Sequence, residues 1–338
     1  MDIAMNPPSI VPERILPSTS IVADPFDAYS LDYLDVTVMC DQEWFDTSRH
    51  SKTRVITLGG KGRNAMAALH KWLPPGVDLL LQAGDEQGRL RAYRHSGAAN
   101  EYEVGDVLAA LPSPIDSEVE TLFIWAGLGG NVGTPQSQAL ACDDRHKSIP
   151  TFALVTLPFA FEGAERADQA EKSRKVLEQC ADACLAIRNE ALFEIFGGEA
   201  DLAKVFALQD QWLAHVLLTL KGLADAQSIR PLVCQTGLGN QLSMGFGRST
   251  GINRVDQAVT AAFKNPLLHG LNWQSKQMLV VLSSGELPSQ NELKQAELQA
   301  TNALSGDCEV SVHGLRDPRM GDDLYATLVF IEKVHSAR

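Results

Sequence analysis

No apolar run in the sequence approaches the roughly 18 to 20 residues a membrane-spanning helix needs. The opening stretch, Met1 to Pro25, lacks a basic segment followed by an apolar one, so a signal peptide is not expected there. Basic residues are also short: 29 Lys+Arg stand against 42 Asp+Glu, a net charge of −13 with a pI near 5.1. An acidic chain is a poor electrostatic holder of nucleic acid, and no nucleic-acid partner is expected. Zinc-type spacing is missing as well. Of the six cysteines, Cys40, Cys142, Cys234 and Cys308 stand alone, while Cys180 and Cys184 lie one helical turn apart in CADAC, where two thiolates could share a face. Without a second Cys/His pair, all six are expected to be ordinary buried or half-buried thiols of a reducing, cytoplasmic setting. The eight histidines are scattered, and His70, His95 and His146 fall in polar stretches.

What is present is globular: 45% of residues are hydrophobic and 21% charged, over 338 residues. That length exceeds the roughly 150 residues one core usually organises. Residues 1–50 read as an N-terminal extension, rich first in Pro and Ser and then in acidic and aromatic residues. Phe26, Tyr29, Tyr33 and Trp44 are costly to leave in water, so this arm is either partly disordered or docks its rings. From Thr53 the pattern is α/β. RVITLGG, VDLLLQAG, TLFIWAGLGG and TFALVTLPF are short apolar strands, alternating with helical segments such as NAMAALHKWL, as in a parallel sheet covered on both faces. Asp201 to Leu223 is the longest helical stretch and is apolar nearly all round, which predicts a buried helix between two layers. After Arg230-Pro231, a β-α-β-α-β-β succession from PLVCQTG to YATLVFIEK predicts a smaller α+β sheet domain. The expected units are therefore 1–50, 51–200, 201–223 and 224–338.

Two glycine-rich turns join strand to helix: GGKGRNA, Gly59 to Ala65, and AGLGGNVGTP, Ala126 to Pro135. Glycine lets the backbone approach a phosphate and present its N–H groups, and a helix N-terminus adds a favourable field. Glycine also simply closes βα turns, so one such loop means little, whereas two on one sheet edge mean more. Neither is GxxxxGK[ST], and neither is GxGxxG with an acidic residue at the end of the second strand. A dinucleotide-binding enzyme is therefore disfavoured, the more so because no catalytic His or Cys sits near a base.

These motifs, in this order, resemble the FtsZ/tubulin superfamily of filament-forming GTPases, in its bacterial FtsZ-like branch, from Thr53 to about Lys333. The resemblance implies a Rossmann-like parallel-sheet GTPase domain, a long central core helix and a smaller C-terminal α+β domain. It places Gly59, Gly60, Gly62 and Asn64 in the first nucleotide loop, and Gly97 and Ala98 of GAANEYEVG in a further phosphate loop. Gly127, Gly129, Gly130, Asn131, Gly133 and Thr134 fall in the signature loop that grips the diphosphate. LPFAFEGAERADQA puts Glu162 and Arg166 at the ribose and neighbouring groups. Asn189, Phe206 and Asp210 fall at the guanine. The chemistry is sensible: a carboxylate such as Asp210 can accept from guanine N1–H and N2–H₂, and Phe206, one turn earlier, can cover the base. Bland accounts stand beside it. Asp210 could be a solvated helix charge, Phe206 core, and Arg166 half of an i,i+4 pair with Glu162.

The sequence also departs from the pattern. Asn131 and Val132 replace a glycine and a threonine, Pro135 lacks an N–H, and Lys61 and Arg63 replace glycines in the first loop. In the catalytic loop, an NxDxxD pattern in the family, Leu223 stands for the asparagine, Asp225 for the first carboxylate and Ser228 for the second. Asp225 is thus the residual catalytic candidate, and hydrolysis is expected to be weak or absent. The sequence ends at Arg338, just after its last strand, so attachment through a C-terminal tail is not expected. The implied ligand is GTP or GDP, with Mg²⁺ a candidate companion. The implied partner is a second copy, head to tail, and the N-terminal arm is a candidate contact for a membrane or protein adaptor. The alternative is a non-catalytic interaction module on the same fold that has lost nucleotide.

Overall fold

The computed structural model describes residues 53–59, 79–84, 90–95, 102–107, 119–143, 148–196, 201–225, 239–269, 271, 275, 277–304 and 308–333. The N-terminal arm lies outside them.

An eight-stranded sheet organises the chain. Its first half holds β1 (Thr53–Leu58), β5 (Thr121–Gly127), β6 (Thr151–Leu157) and β7 (Ala183–Arg188), adjacent in that order and all parallel. Their runs are continuously apolar because helices cover both faces. In β5, Phe123 and Trp125 enter the core on one face, while Leu122, Ile124 and Ala126 enter a second core on the other. That second core is closed by α1 (Gly133–Ala141) and α2 (Ala164–Cys180), through Leu140, Ala170 and Leu177. The stretch VDLLLQAG does not join this sheet. It forms β2 (Leu79–Gly84), which pairs antiparallel with β3 (Leu90–His95), itself antiparallel to β4 (Tyr102–Val107), in a separate three-stranded sheet. β4 takes up the second half of GAANEYEVG, so Tyr102 to Gly105 are strand rather than loop.

The second half contains β8 (Asn240–Ser249), α5 (Arg254–Phe263), β9 (Gln277–Ser284), α6 (Gln290–Ala303), β10 (Glu309–Arg316) and β11 (Leu324–Lys333). The strand order continues β7-β8-β11-β9-β10. These strands, expected as a sheet of their own, are joined to the first half by a short parallel ladder, Ala183↔Asn240 to Leu185↔Leu242. Among the described residues the first strand of this half is NQLSMGFGRS, absent from the expected succession; PLVCQTG lies outside the described residues. α6 starts where Ser289 caps it: Ser289 Oγ accepts from Glu292 N–H at 3.3 Å, and Glu292 accepts from Ser289 N–H at 2.8 Å.

After the short helix α3 (Glu190–Phe196), the long helix, α4 (Leu202–Asp225), runs under both halves. Trp212, Leu213, Val216, Leu217 and Leu220 pack in one cluster with Val55, Phe123 and Leu154 of the first half and Met244, Leu279 and Val329 of the second. Each such side chain contributes about 1.5–3 kcal/mol by leaving water. At its middle, the fully buried His215 shares a hydrogen bond with Thr327 Oγ1 of β11, 2.8 Å away. Burial, assisted by the Arg319 guanidinium, pushes its pKa down to about 4. A ring held neutral suits a site where a charge would have no water.

One expectation fails outright. Cys142 and Cys180 form a disulfide, with Cα atoms 4.9 Å apart. Cys142 caps the C-terminus of α1 and Cys180 is the last residue of α2, so the helix ends meet although 38 residues separate them. Cys180 and Cys184 share no helix face, because the chain leaves α2 and enters β7 between them. Cys184 is buried and free, and burial pushes its thiol pKa up.

Candidate functional site

The parallel register decides where the loops gather. Leu58 of β1 stands level with Ala126 of β5, Gly127 with Thr156 of β6, and Leu157 with Arg188 of β7. Four loops therefore leave one carboxyl edge side by side: at Gly59, at Gly127–Val132, at Pro158–Gly163 and at Asn189. That edge is where open α/β sheets place ligands.

The first two loops touch. A Cβ on Gly59, whose φ is +76°, would lie 3.1 Å from both Cα and N of Gly133. Gly129, at φ +87°, is pressed against the first turn of α2: a Cβ there would sit 2.7 Å from the carbonyl oxygen of Arg166. These glycines are required by backbone contact. Gly130 differs, since a Cβ there would meet nothing within 4 Å. Inside the turn, Gly129 N–H donates to Thr134 Oγ1 at 2.9 Å, so the Thr134 hydroxyl closes the loop from within. Leu128 N–H donates to Thr156 O. Among the described residues, the N–H groups of Gly130, Asn131, Val132 and Gly133 have no protein acceptor. Val132, the residue before α1, offers no side-chain cap, and Pro135 sits in the helix's first turn, where proline is tolerated. Open backbone amides at a helix N-terminus fit an anion such as a diphosphate.

The third loop is a 3₁₀ turn, Ala160–Glu162, followed by α2. Glu162 accepts from Phe159 N–H at 2.8 Å and pairs with Arg166 at 2.8 Å. The pair foreseen as a bland alternative is therefore formed, on an exposed helix start. Farther along α2, Arg174 bridges Glu171 and Glu178. Its hydrogen bond holds the Glu171 carboxyl below its ordinary range, whereas burial pushes Glu178 up.

The start of α4 closes the group. Phe206 meets Phe159 edge-on at 5.7 Å between centroids, and Phe159 stacks on Phe161 at 4.9 Å. Asn189 is buried, and its Oδ1 accepts from Gln209 Nε2 of α4. Asp210, the next residue, is 8% exposed. Half-buried Phe206 and buried Asp210 thus sit on α4 beside two of the four loops.

A profile of the Tubulin/FtsZ family, GTPase domain, matches residues 86–197. The chain is 29% identical over 305 residues to the cell division protein FtsZ of Pseudomonas putida, covering 82% of this chain and 75% of that protein. It is 29% identical over 296 residues to cell division protein FtsZ 2 of Rhizobium meliloti, covering 80% and 85%. Among solved structures, an empty FtsZ dimer from M. jannaschii superposes with a TM-score of 0.65 at 21% identity, over 86% of this chain and 90% of that one. CetZ2 from Haloferax volcanii, a GTPγS-bound protofilament, gives 0.56 at 19% identity, over 83% and 93%. The chain is thus similar in sequence to FtsZ proteins over most of its length, and its fold is FtsZ-like.

Against that FtsZ-like frame, the described site candidates fall on one edge: Gly59, Gly127, Gly129, Gly130, Asn131, Gly133 and Thr134 at the first two loops, Glu162 and Arg166 at the third, and Asn189, Phe206 and Asp210 at the fourth and on α4. Gly60, Gly62, Asn64, Gly97 and Ala98 lie outside the described residues. Asp225, expected just beyond the long helix, is its last residue; Ser228 lies outside the described residues. Two contributors were not singled out from the sequence. Gln209 holds Asn189, and Phe159 links Phe206 to Phe161. Phe159 was legible within LPFAFEG; Gln209 carried no signal beyond adjacency to Asp210.

Proposed function

We propose that this is a cytoskeletal protein of the FtsZ/tubulin type that binds guanine nucleotide at the glycine-loop edge and assembles head to tail, with weak or absent GTP hydrolysis. The observation that carries the reading is the turn Gly130–Gly133, whose four N–H groups meet no protein acceptor among the described residues while Gly59 abuts Gly133 at the start of α1. Phe206 and Asp210 supply a ring and a carboxylate suited to guanine at the same edge. Relatives that match most of this chain bear the name cell division protein FtsZ, and the CetZ2 relative is a protofilament with GTPγS. A heterologous contact that does not close gives an open filament. With a net charge of −13, assembly should respond to salt and divalent cations. Weak hydrolysis follows from Leu223 and Ser228 standing in the NxDxxD pattern, since losing a positioning or base group commonly costs roughly 10²-fold or more. Sedimentation and phosphate release with GTP, Mg²⁺ and varied salt test both parts. The reading expects nucleotide-dependent pelleting with little phosphate released.

A second reading is favoured by three contacts: Thr134 Oγ1 is engaged inside its own loop, Glu162 and Arg166 engage each other, and Asn189 is buried against Gln209. It is a module that has lost nucleotide and associates constitutively. Pelleting that is identical with and without GTP, from protein that carries no nucleotide, would select it.

A further inference from the structure

The disulfide connects the far ends of the two helices whose near ends form the glycine-loop edge. α1 begins in the signature turn and ends at Cys142; α2 begins beside Glu162 and ends at Cys180. At the near end they meet through Gly129, pressed on the carbonyl of Arg166 in the first turn of α2. Between the two ends, Leu140 and Ala141 share a core with Ala170 and Leu177. α1 is only nine residues, about 13 Å long at 1.5 Å per residue. The helix is thus a short connection held near both of its ends.

Access differs among the sulfurs. Cys142 is exposed, Cys180 is half-buried, and Cys184 is fully buried in the core beneath α2. From this placement, we propose that Cys142–Cys180 is a reversible redox modification site, opened by low-molecular-weight thiols, that sets the geometry of the anion-binding turn. The chemistry balances. A thiolate attacks the Sγ of Cys142, an exposed residue, forming a mixed disulfide and releasing the Cys180 thiolate, which takes up a proton. A second thiolate attacks the outer sulfur, giving the small-molecule disulfide and a free Cys142 thiol. The protein bond is reduced and two thiols are oxidised. Opening it frees the C-terminal end of α1, and the turn at its N-terminus loses part of its preorganisation. The coupling to affinity rests on the nucleotide reading above; the bond chemistry does not.

The test uses the full chain equilibrated in glutathione redox buffers, alkylated under native conditions and mapped by mass spectrometry, with GDP affinity measured on the same samples. Cys142 and Cys180 should label together as the buffer becomes reducing, while Cys184 stays unlabelled. Reduction should weaken GDP binding at least about fivefold, the scale expected from lost preorganisation. A Cys142→Ser/Cys180→Ser variant should hold the weaker affinity in every buffer, and Cys184→Ala should respond like the parent. Labelling of Cys142 and Cys180 only together with Cys184, or GDP affinities equal within twofold in both states, would overturn the proposal. Absence of GDP binding in both states would refute the nucleotide reading and the coupling with it, whereas the labelling order would still decide the redox site.

Discussion

Two neighbouring glycines in the signature turn should behave oppositely on substitution by alanine. At Gly129 the backbone sits at φ +87°, where a side chain costs about 1–2 kcal/mol. The added Cβ would also stand 2.7 Å from the carbonyl oxygen of Arg166, a backbone atom that must move. Overpacking of this kind adds about 1–2 kcal/mol, so Gly129→Ala should lose about 2–4 kcal/mol of stability. For a chain this size that is a Tm lower by about 3–6 °C. At Gly130 nothing lies within 4 Å, so Gly130→Ala should leave Tm within about 1 °C of the parent. Its methyl instead occupies space a phosphate would use, and GDP affinity should drop at least about tenfold, or 1.4 kcal/mol. Differential scanning fluorimetry and equilibrium GDP binding on the three proteins make the comparison. Equal Tm values for Gly129→Ala and the parent would refute the packing account. Parental GDP affinity in Gly130→Ala would refute the assignment of the open turn to the anion.

Three further outcomes follow from other parts of the molecule. His215 has a pKa near 4 when folded against about 6.5 unfolded, so the unfolded chain takes the proton first as pH falls. Its contribution is complete above about pH 6.5 and drains toward pH 4, about 2 kcal/mol between pH 7 and pH 5, and His215→Gln should flatten that part of the urea-unfolding profile. Asp210→Asn should cut the preference for GDP over IDP at least about tenfold in competition binding, because an amide cannot accept from both N1–H and N2–H₂; an unchanged ratio would remove Asp210 from the base site. Gly247→Ala should unfold at least about 2 kcal/mol more easily in urea, since its Cβ would lie 2.3 Å from the carbonyl oxygen of Ala258.

Gly247 also shows why part of the fold was hidden. NQLSMGFGRS, with two glycines, is absent from the expected strand succession, yet it is the ten-residue β8. Helix α5 packs so closely that Gly245 and Gly247 have its backbone, at Ala262 O and Ala258 O, where a side chain would be. In β5 and β6 the opposite holds. TLFIWAG and TFALVTL are buried on both faces, so apolar continuity alone marked them. The long helix was legible for the same reason, its buried residues facing strands from both halves. The three-stranded sheet was only partly legible: the polar alternation of LRAYRH carries no core signal, and Tyr102 to Gly105 of β4 belong to the stretch whose resemblance implies a loop. At the site, the glycines announced the two loops, but not that Gly59 and Gly129 answer to backbone contacts while Gly130 opens outward. The disulfide joins residues 38 apart whose meeting depends on how α1 and α2 pack, which no local pattern reports.

Equilibrium binding of GDP and ADP to the oxidised 338-residue chain tests the central claim most directly. The account predicts saturable, stoichiometric GDP binding with ADP at least about 100-fold weaker, because Asp210 accepts donors that adenine does not present. Failure of both nucleotides to bind, or equal affinity for the two, would contradict it.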